Sequence, residues 1–276
     1  MPRYDLHCHS THSDGLLAPA AVVARARAHG VEVLALTDHD ELSGLAEARE
    51  AAVAAGITLI CGSELSTTWE GITVHIVALG IDPANATLAD SLAAIRVGRS
   101  ARARRIAEAL AAAGIDGAYE GAMRYVTSER LVSRTHFARY LVEAGHARAM
   151  KDVFKRYLTR GRPGYVAHSW ATLPQAIDWI HAAGGQAVVA HPGRYDVSAT
   201  GMRRLLAEFR DLGGDAVEVL SSSHTPAQYA EFATHARVFG LRASCGSDWH
   251  GPDESWMDLG ALPDLPVGVV PVWKDW

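Results

Sequence analysis

The stretch Tyr4-Asp5-Leu6-His7-Cys8-His9-Ser10-Thr11-His12-Ser13-Asp14-Gly15 carries two histidines one residue apart at the end of a short apolar run, with an aspartate five residues beyond the second. Successive side chains of a strand point to opposite faces, so His7 and His9 project to one side and Cys8 to the other. Two imidazoles on one face can grip a single ion; the same pair on a surface strand would only be solvated. What the rest of the chain brings to that face decides between the two readings.

Apolar runs suited to buried strands recur at residues 4–6, 31–36, 57–61, 74–79, 187–190, 216–220 and 241–245, mostly separated by helical stretches. A helix is expected from near Pro19 to Gly30. Thr172-Leu173-Pro174-Gln175 has capping-box spacing with proline inside the first turn, and Gly184-Gly185 stops that helix. Thr225-Pro226-Ala227-Gln228 repeats the device, with Gly240 as its end. Strands alternating with capped helices predict an α/β fold whose parallel sheet closes as a barrel. One connection breaks the pattern. Only residues 67–72 join the strand ending near Glu64 to the one carrying His75, and a parallel crossover needs roughly a dozen. The barrel is therefore expected to be distorted or locally antiparallel there.

With 276 residues, 49% of them hydrophobic, the chain can bury the core of one large domain. It shows no charged region followed by a short apolar one at its start and no run of about 18 apolar residues, so a soluble cytoplasmic protein with no membrane contact is expected. The three cysteines, Cys8, Cys61 and Cys245, are too few and too scattered for a disulfide framework and are expected to be reduced. Fourteen histidines is a high count, and histidine is the commonest metal ligand.

Residues 85–170 interrupt the alternation with a mostly helical block rich in arginine. It holds fifteen Lys and Arg against seven Asp and Glu, a balance of +8 that leaves −13 for the remainder of a chain whose net charge is −5. That partition predicts a barrel of residues 1–84 and 171–276 and a helical insertion of residues 85–170, a basic cap over an acidic barrel that draws in anions.

Potential ligands fall at the ends of the expected strands, where barrel enzymes place their chemistry. Thr37-Asp38-His39-Asp40 follows the second run, Gly62-Ser63-Glu64 the third, His75 lies in the fourth, Ala190-His191-Pro192-Gly193 follows the fifth, and Gly246-Ser247-Asp248-Trp249-His250 the seventh. As an ordered set, these motifs resemble the polymerase and histidinol phosphatase (PHP) family, related to the amidohydrolases. The resemblance covers roughly residues 3–80 and 186–250. It implies a distorted (β/α)7 barrel with a trinuclear metal centre: His7, His9, Glu64 and Asp248 on one ion, Glu64, His75 and His191 on a second, and Asp14, His39 and His250 on a third. Some relatives carry histidine at the position of Asp14, a departure expected to alter the third metal more than the reaction. Asp38 and Asp40, flanking a ligand, are expected to orient ligands or cap a helix.

Nine ligands over three ions leave open positions for water and substrate, as catalysis requires. Imidazole and carboxylate without thiolate suit two or three divalent ions, manganese preferred, zinc or iron also admitted. Such a site is cationic and suits a phosphate dianion, with metal-bound hydroxide as the nucleophile.

Within the insertion, residues 132–139 and 160–166 resemble segments of the nucleotide-hydrolysing branch of the family. Arg134 is expected to clamp phosphate with His136 nearby, and Arg160 and Arg162 are weaker candidates. Arg194, just past a ligand, is expected to reach phosphate, and His224 is a candidate proton donor to the leaving alkoxide. Tyr165, Trp170 and Tyr195 are candidates to stack a base. The nearest resemblance is to 3′,5′-nucleoside bisphosphate phosphatases, which convert adenosine 3′,5′-bisphosphate to AMP and phosphate. Two alternatives stand beside that expectation: a 5′-to-3′ exonuclease on short RNA using the same metals, and a non-catalytic, metal-stabilised PHP module. No protein partner is implied.

Overall fold

The computed structural model describes residues 2–126 and 129–276. Its first half runs β1 (Tyr4–Asp5), α1 (Pro19–Ala28), β2 (Val33–Leu36), α2 (Leu45–Ala55), β3 (Thr58–Trp69) and β4 (Ile72–Leu79). β1, β2 and the start of β3 are parallel. β3 then continues as one arm of a hairpin with β4, from Gly62 opposite Leu79 to Trp69 opposite Ile72. Glu70 and Gly71 form its two-residue loop with φ of 45° and 78°, and positive φ at both positions matches the twist of antiparallel strands. So short a link can join only antiparallel neighbours, and β4 is the reversed strand of an otherwise largely parallel sheet.

The second half returns to alternation: β5 (Ala171–Thr172), α7 (Leu173–Ala182), β6 (Gln186–Val189), α8 (Ala199–Asp211), β7 (Ala216–Ser221), α9 (Pro226–Phe239) and β8 (Arg242–Gly246). Both expected capping boxes form, at Thr172 with Gln175 and at Thr225 with Gln228. The sheet order is β1-β2-β3-β4-β6-β7-β8, with the short β5 attached to β3. It closes on itself where Leu6 N donates to Cys245 O at 3.0 Å and Asp248 N to His7 O at 2.8 Å. The result is a distorted seven-stranded barrel.

Inside the barrel lies an apolar plug that includes Leu6, Val77, Val188 and Ala216, joined by Val272 of the C-terminal segment. Outside, α1 and α2 cover β1 to β3, and α7, α8 and α9 cover the rest.

The insertion contains α3 (Ala86–Ala112), α4 (Ala118–Met123), α5 (Arg134–Glu143) and α6 (Met150–Val153), the last running into a π-helical turn (Phe154–Leu158). Phe137, Leu141, Val153 and Leu158 form part of its own apolar cluster with the second half of α3. The first half of α3 behaves differently: Leu88, Leu92 and Ile95 belong to the barrel's outer core. The helix starts where the insertion was expected to begin, but its first half packs with the barrel, because a helix of 27 residues can serve two cores.

The insertion folds over the barrel mouth and is tied there by charge. Arg99 bonds the Asp40 carboxylate and Ser66 Oγ, and Arg96 donates to the Asp40 carbonyl. Arg139 pairs with Glu254 at 2.7 Å and donates to the Asp14 carbonyl. Ser133 Oγ donates to Asp14 Oδ2 at 3.0 Å.

Barrel closure depends on the missing side chain at Gly246, where a Cβ would stand 2.2 Å from His7 Cβ and 2.8 Å from His7 N. Gly246→Ala is expected to lower stability by about 1–3 kcal/mol through overpacking, read as a lower urea midpoint at unchanged m-value.

Candidate metal centre

All nine sequence-derived ligand candidates converge at the open end of the barrel. His7 and His9 lie just past β1, His39 past β2, Glu64 and His75 on one face of the β3–β4 hairpin, His191 past β6, and Asp248 and His250 past β8. Cys8 turns away as expected, buried with its Sγ donating to Ala35 O. Glu64 is the hub. Its Oε1 lies 2.7 Å from His75 Nδ1 and 2.9 Å from His191 Nε2; its Oε2 lies 3.2 Å from His7 Nε2, 3.3 Å from His9 Nε2 and 2.9 Å from His39 Nδ1.

Three groups have ligand atoms close enough to share an ion: His7, His9, Glu64 and Asp248; His39, Glu64 and His75; and His9, Asp14, His39 and His250. The first coincides with the set expected for one ion. Elsewhere the structure brings His39 to the Glu64–His75 side and His9 to the Asp14 side, while His191 reaches the centre through Glu64. Backbone strain gathers at the same place: His191 and Asp248 hold φ of 27° and 53°, a region non-glycine residues rarely adopt.

The side chains fit divalent cations. His7 Nδ1 meets Glu218 Oε1 at 2.7 Å, and His9 Nδ1 meets Ser13 Oγ, whose own proton goes to Asp38. Each outer partner is an acceptor, so each ring donates outward and its Nε2 carries a lone pair inward. The two Nε2 atoms face each other at 3.1 Å. Two lone pairs at that separation repel unless a proton or a metal cation lies between them. Asp14 Oδ1 and Glu64 Oε2 are buried and accept no hydrogen bond among the described residues. Buried carboxylate oxygens in that state carry a desolvation cost that a cation relieves.

The electrostatics agree. Burial opposes charge on Glu64, yet His39, His75 and His7 hold its carboxyl well below the usual range. Burial also opposes charge on His7 and His9, but Glu218, Glu64 and Asp248 outweigh it at His7, and Asp248 and Glu64 push His9 up to about 10. His191 goes the other way, lowered to about 4 by burial and by Arg194.

Above the ligand groups, a pocket is closed by Arg99, Arg102, Ser133 and Arg134 of the insertion, with Arg194 at its rim. Arg99 is neutralised by Asp40, and Arg194 bonds Asp248 Oδ2 at 2.7 Å. Arg102 and Arg134 have no carboxylate partner among the described residues. Arg102 Nε reaches only the Val166 carbonyl at 3.2 Å, and Arg134 Nη1 only that of Leu158 at 3.4 Å. Burial, then repulsion from Arg134 and Arg99, presses the Arg102 pKa down to about 9. Two desolvated guanidiniums without counter-charge make a site that favours an anion.

The PHP domain model matches residues 5–162. The chain belongs to the PHP domain family. It is 50% identical over 275 residues to a 3′,5′-nucleoside bisphosphate phosphatase of Chromobacterium violaceum, covering 100% of this chain and 96% of the relative. It is also 50% identical over 275 residues to the 5′-3′ exoribonuclease Rnm of Salmonella typhimurium, covering 99% and 93%. A solved amidohydrolase structure from Chromobacterium violaceum, containing sulfate and no metal, superposes with a TM-score of 0.96 at 50% identity, covering 99% of this chain and 95% of that one. The chain is thus a metal-dependent phosphoester hydrolase of the PHP family.

Several substrate-side expectations for this PHP protein change in three dimensions. His136 is fully buried, its Nδ1 accepting from Ser133 N in a capping box, and it lines no part of the pocket. His224 has Gly193 N donating to its Nε2 at 3.0 Å and Val219 O next to its Nδ1 at 3.2 Å, so both nitrogens serve the backbone and neither is left to protonate a leaving group. Arg160 and Arg162 are exposed on a turn outside the pocket. Tyr195 is a strut, donating to Ala190 O and accepting from His75 N, and Tyr165 also lies outside the pocket lining. Trp170 lines the pocket, but the guanidiniums of Arg99 and Arg102 lie over its ring at 5.0 and 5.3 Å. Asp38 and Asp40 orient neighbours as expected: Asp38 accepts from Ser10 and Ser13, Asp40 from Ser66 and Arg99. Sequence reading missed Arg99, Arg102, Ser133 and Glu218. A glutamate inside the apolar run 216–220 was the one available signal among them.

Because the carboxylates raise His7 and His9 above their ordinary pKa, the metal-free protein carries protons at neutral pH where an ion would bind. Metal uptake at the group holding His7 and His9 is then expected to release protons at pH 7 and to strengthen as pH rises. Calorimetric titration in buffers of different ionisation enthalpy measures the release; heats independent of buffer would contradict it.

Proposed function

We propose that this protein removes the 3′-phosphate of a 3′,5′-nucleoside bisphosphate, leaving the 5′-monophosphate. The observation that carries this reading is the pair of guanidiniums of buried Arg102 and half-buried Arg134, without a carboxylate partner among the described residues and set across one pocket from the ligand groups. A substrate with two phosphates satisfies both walls, one phosphate at the ligand groups and the other at the arginines.

The nine side chains His7, His9, Asp14, His39, Glu64, His75, His191, Asp248 and His250 are proposed to hold two or three divalent ions, manganese first among them. Such ions supply a water of lowered pKa and neutralise phosphoryl oxygens. The chain's own residues do the rest. Arg134 and Arg102 bind and orient the non-reacting phosphate through charge-assisted bonds, and the insertion roofs the pocket. Arg194 stands at the rim beside Asp248, where its free donors meet the reacting phosphate. The three free thiols accord with a cytoplasmic setting.

The second reading, 5′-to-3′ hydrolysis of short RNA, is favoured by the similarity to an exoribonuclease across nearly the whole chain. It uses the same walls, with the arginines on a 5′-terminal phosphate.

Manganese-loaded protein is to be incubated with adenosine 3′,5′-bisphosphate and with a 5′-phosphorylated RNA oligomer, with a chelated control. Rapid, chelator-sensitive release of phosphate and AMP from the bisphosphate is expected. Inertness toward it, with nucleotides released stepwise from RNA, would transfer the function to the second reading. Arg134→Ala should raise KM roughly 10- to 100-fold, the loss of about 1.5–3 kcal/mol from one charge-assisted contact, with a smaller change in kcat.

A further inference from the structure

Glu218 belongs to none of the ligand groups, yet it touches His7, a member of one of them, and His191, which reaches the centre through Glu64. It stands on β7, on the barrel's inner side two residues beyond Ala216, at the level where the apolar plug gives way to the ligand groups. Its residue is 1% exposed. Oε1 lies 2.7 Å from His7 Nδ1, and Oε2 accepts the backbone N–H of His191 at 2.5 Å. His191 is the residue held at φ 27°, ψ 56°.

We propose that Glu218 is a positioning residue that sets both sides of the metal centre at once. The inference rests on the reading that the ligand groups hold divalent ions. At His7 the carboxylate keeps the ring proton on Nδ1, so the Nε2 lone pair faces His9, Glu64 and Asp248; the opposite tautomer would aim a proton at the ion. At His191 the second oxygen anchors a left-handed backbone that a residue with a Cβ adopts only under constraint, and that conformation carries the imidazole to Glu64. A carboxylate suits both duties because it has two acceptor oxygens and no donor. A glutamine in its place presents one acceptor and one donor, and its NH2 would face either the His7 proton or the His191 N–H.

The test compares wild type, Glu218→Gln and Glu218→Ala after demetallation. Mn2+ and Zn2+ are titrated in competition with a fluorescent chelator, and amide hydrogen exchange at His191 is followed by NMR without metal. Glu218→Gln is expected to fold, to bind metal 10- to 100-fold more weakly, and to exchange the His191 amide at least tenfold faster. A role confined to stability would lower the melting temperature and leave metal affinity of the folded variant unchanged. Affinity within twofold of wild type, or a His191 amide as protected as in wild type, would overturn the proposal. If Glu218→Ala does not fold, the isosteric glutamine variant decides. Wild type that takes up no divalent ion would instead overturn the metal reading, while the exchange data would still report whether Glu218 anchors His191.

Discussion

Glu64 is fully buried, with nitrogens of five imidazoles between 2.7 and 3.3 Å from its two oxygens. A carboxylate so far from water is tolerable only with strong compensation. The compensation organises the barrel mouth. His7 and His9 approach from the β1 side, His39 from β2, His75 from the reversed strand β4 and His191 from β6. Strand order matters here: an all-parallel barrel would have no hairpin to set Glu64 and His75 on one face. The distortion of the barrel and the crowding of its ligands are thus one feature.

Around that centre lies a ring of groups that do not point into it. Asp38 acts on His9 through Ser13, Tyr195 ties the His75 strand to the end of β6, and Ser133 reaches down from the insertion to Asp14. Backbone strain at His191 and Asp248 persists because such contacts over-determine it.

The insertion gives the site its second half. Three of its arginines, Arg96, Arg99 and Arg139, fasten it to the barrel, and two, Arg102 and Arg134, stand over the pocket with no carboxylate partner among the described residues. The +8 balance of the block therefore has two causes. Attachment to an acidic barrel uses part of the charge; another part, at Arg102 and Arg134, lines the pocket. Relatives with equal identity to this chain are named as a 3′,5′-nucleoside bisphosphate phosphatase and as a 5′-3′ exoribonuclease.

Local chemistry was legible in the chain itself. Capping boxes, strand runs and the shortness of the link before His75 depend on neighbours in sequence, so the capped helices and a distorted or locally antiparallel barrel could be read directly; the hairpin itself, with Glu70 and Gly71 as its loop, came from the structure. The nine ligand candidates were legible through two signals: most of their clusters fall at expected strand ends, which share one mouth in a barrel, and as an ordered set they resemble the PHP family. Partnership across the chain was not legible. Whether Arg134 or Arg160 faces the pocket, whether His224 keeps a free nitrogen, and whether α3 serves one core or two depend on contacts between distant segments. The same holds for Glu218, which lies 211 residues from His7 in sequence and 2.7 Å from it in space. Periodicity and spacing report what a residue is near along the chain, and only the closed barrel with its cap determines which donors and acceptors remain unspent.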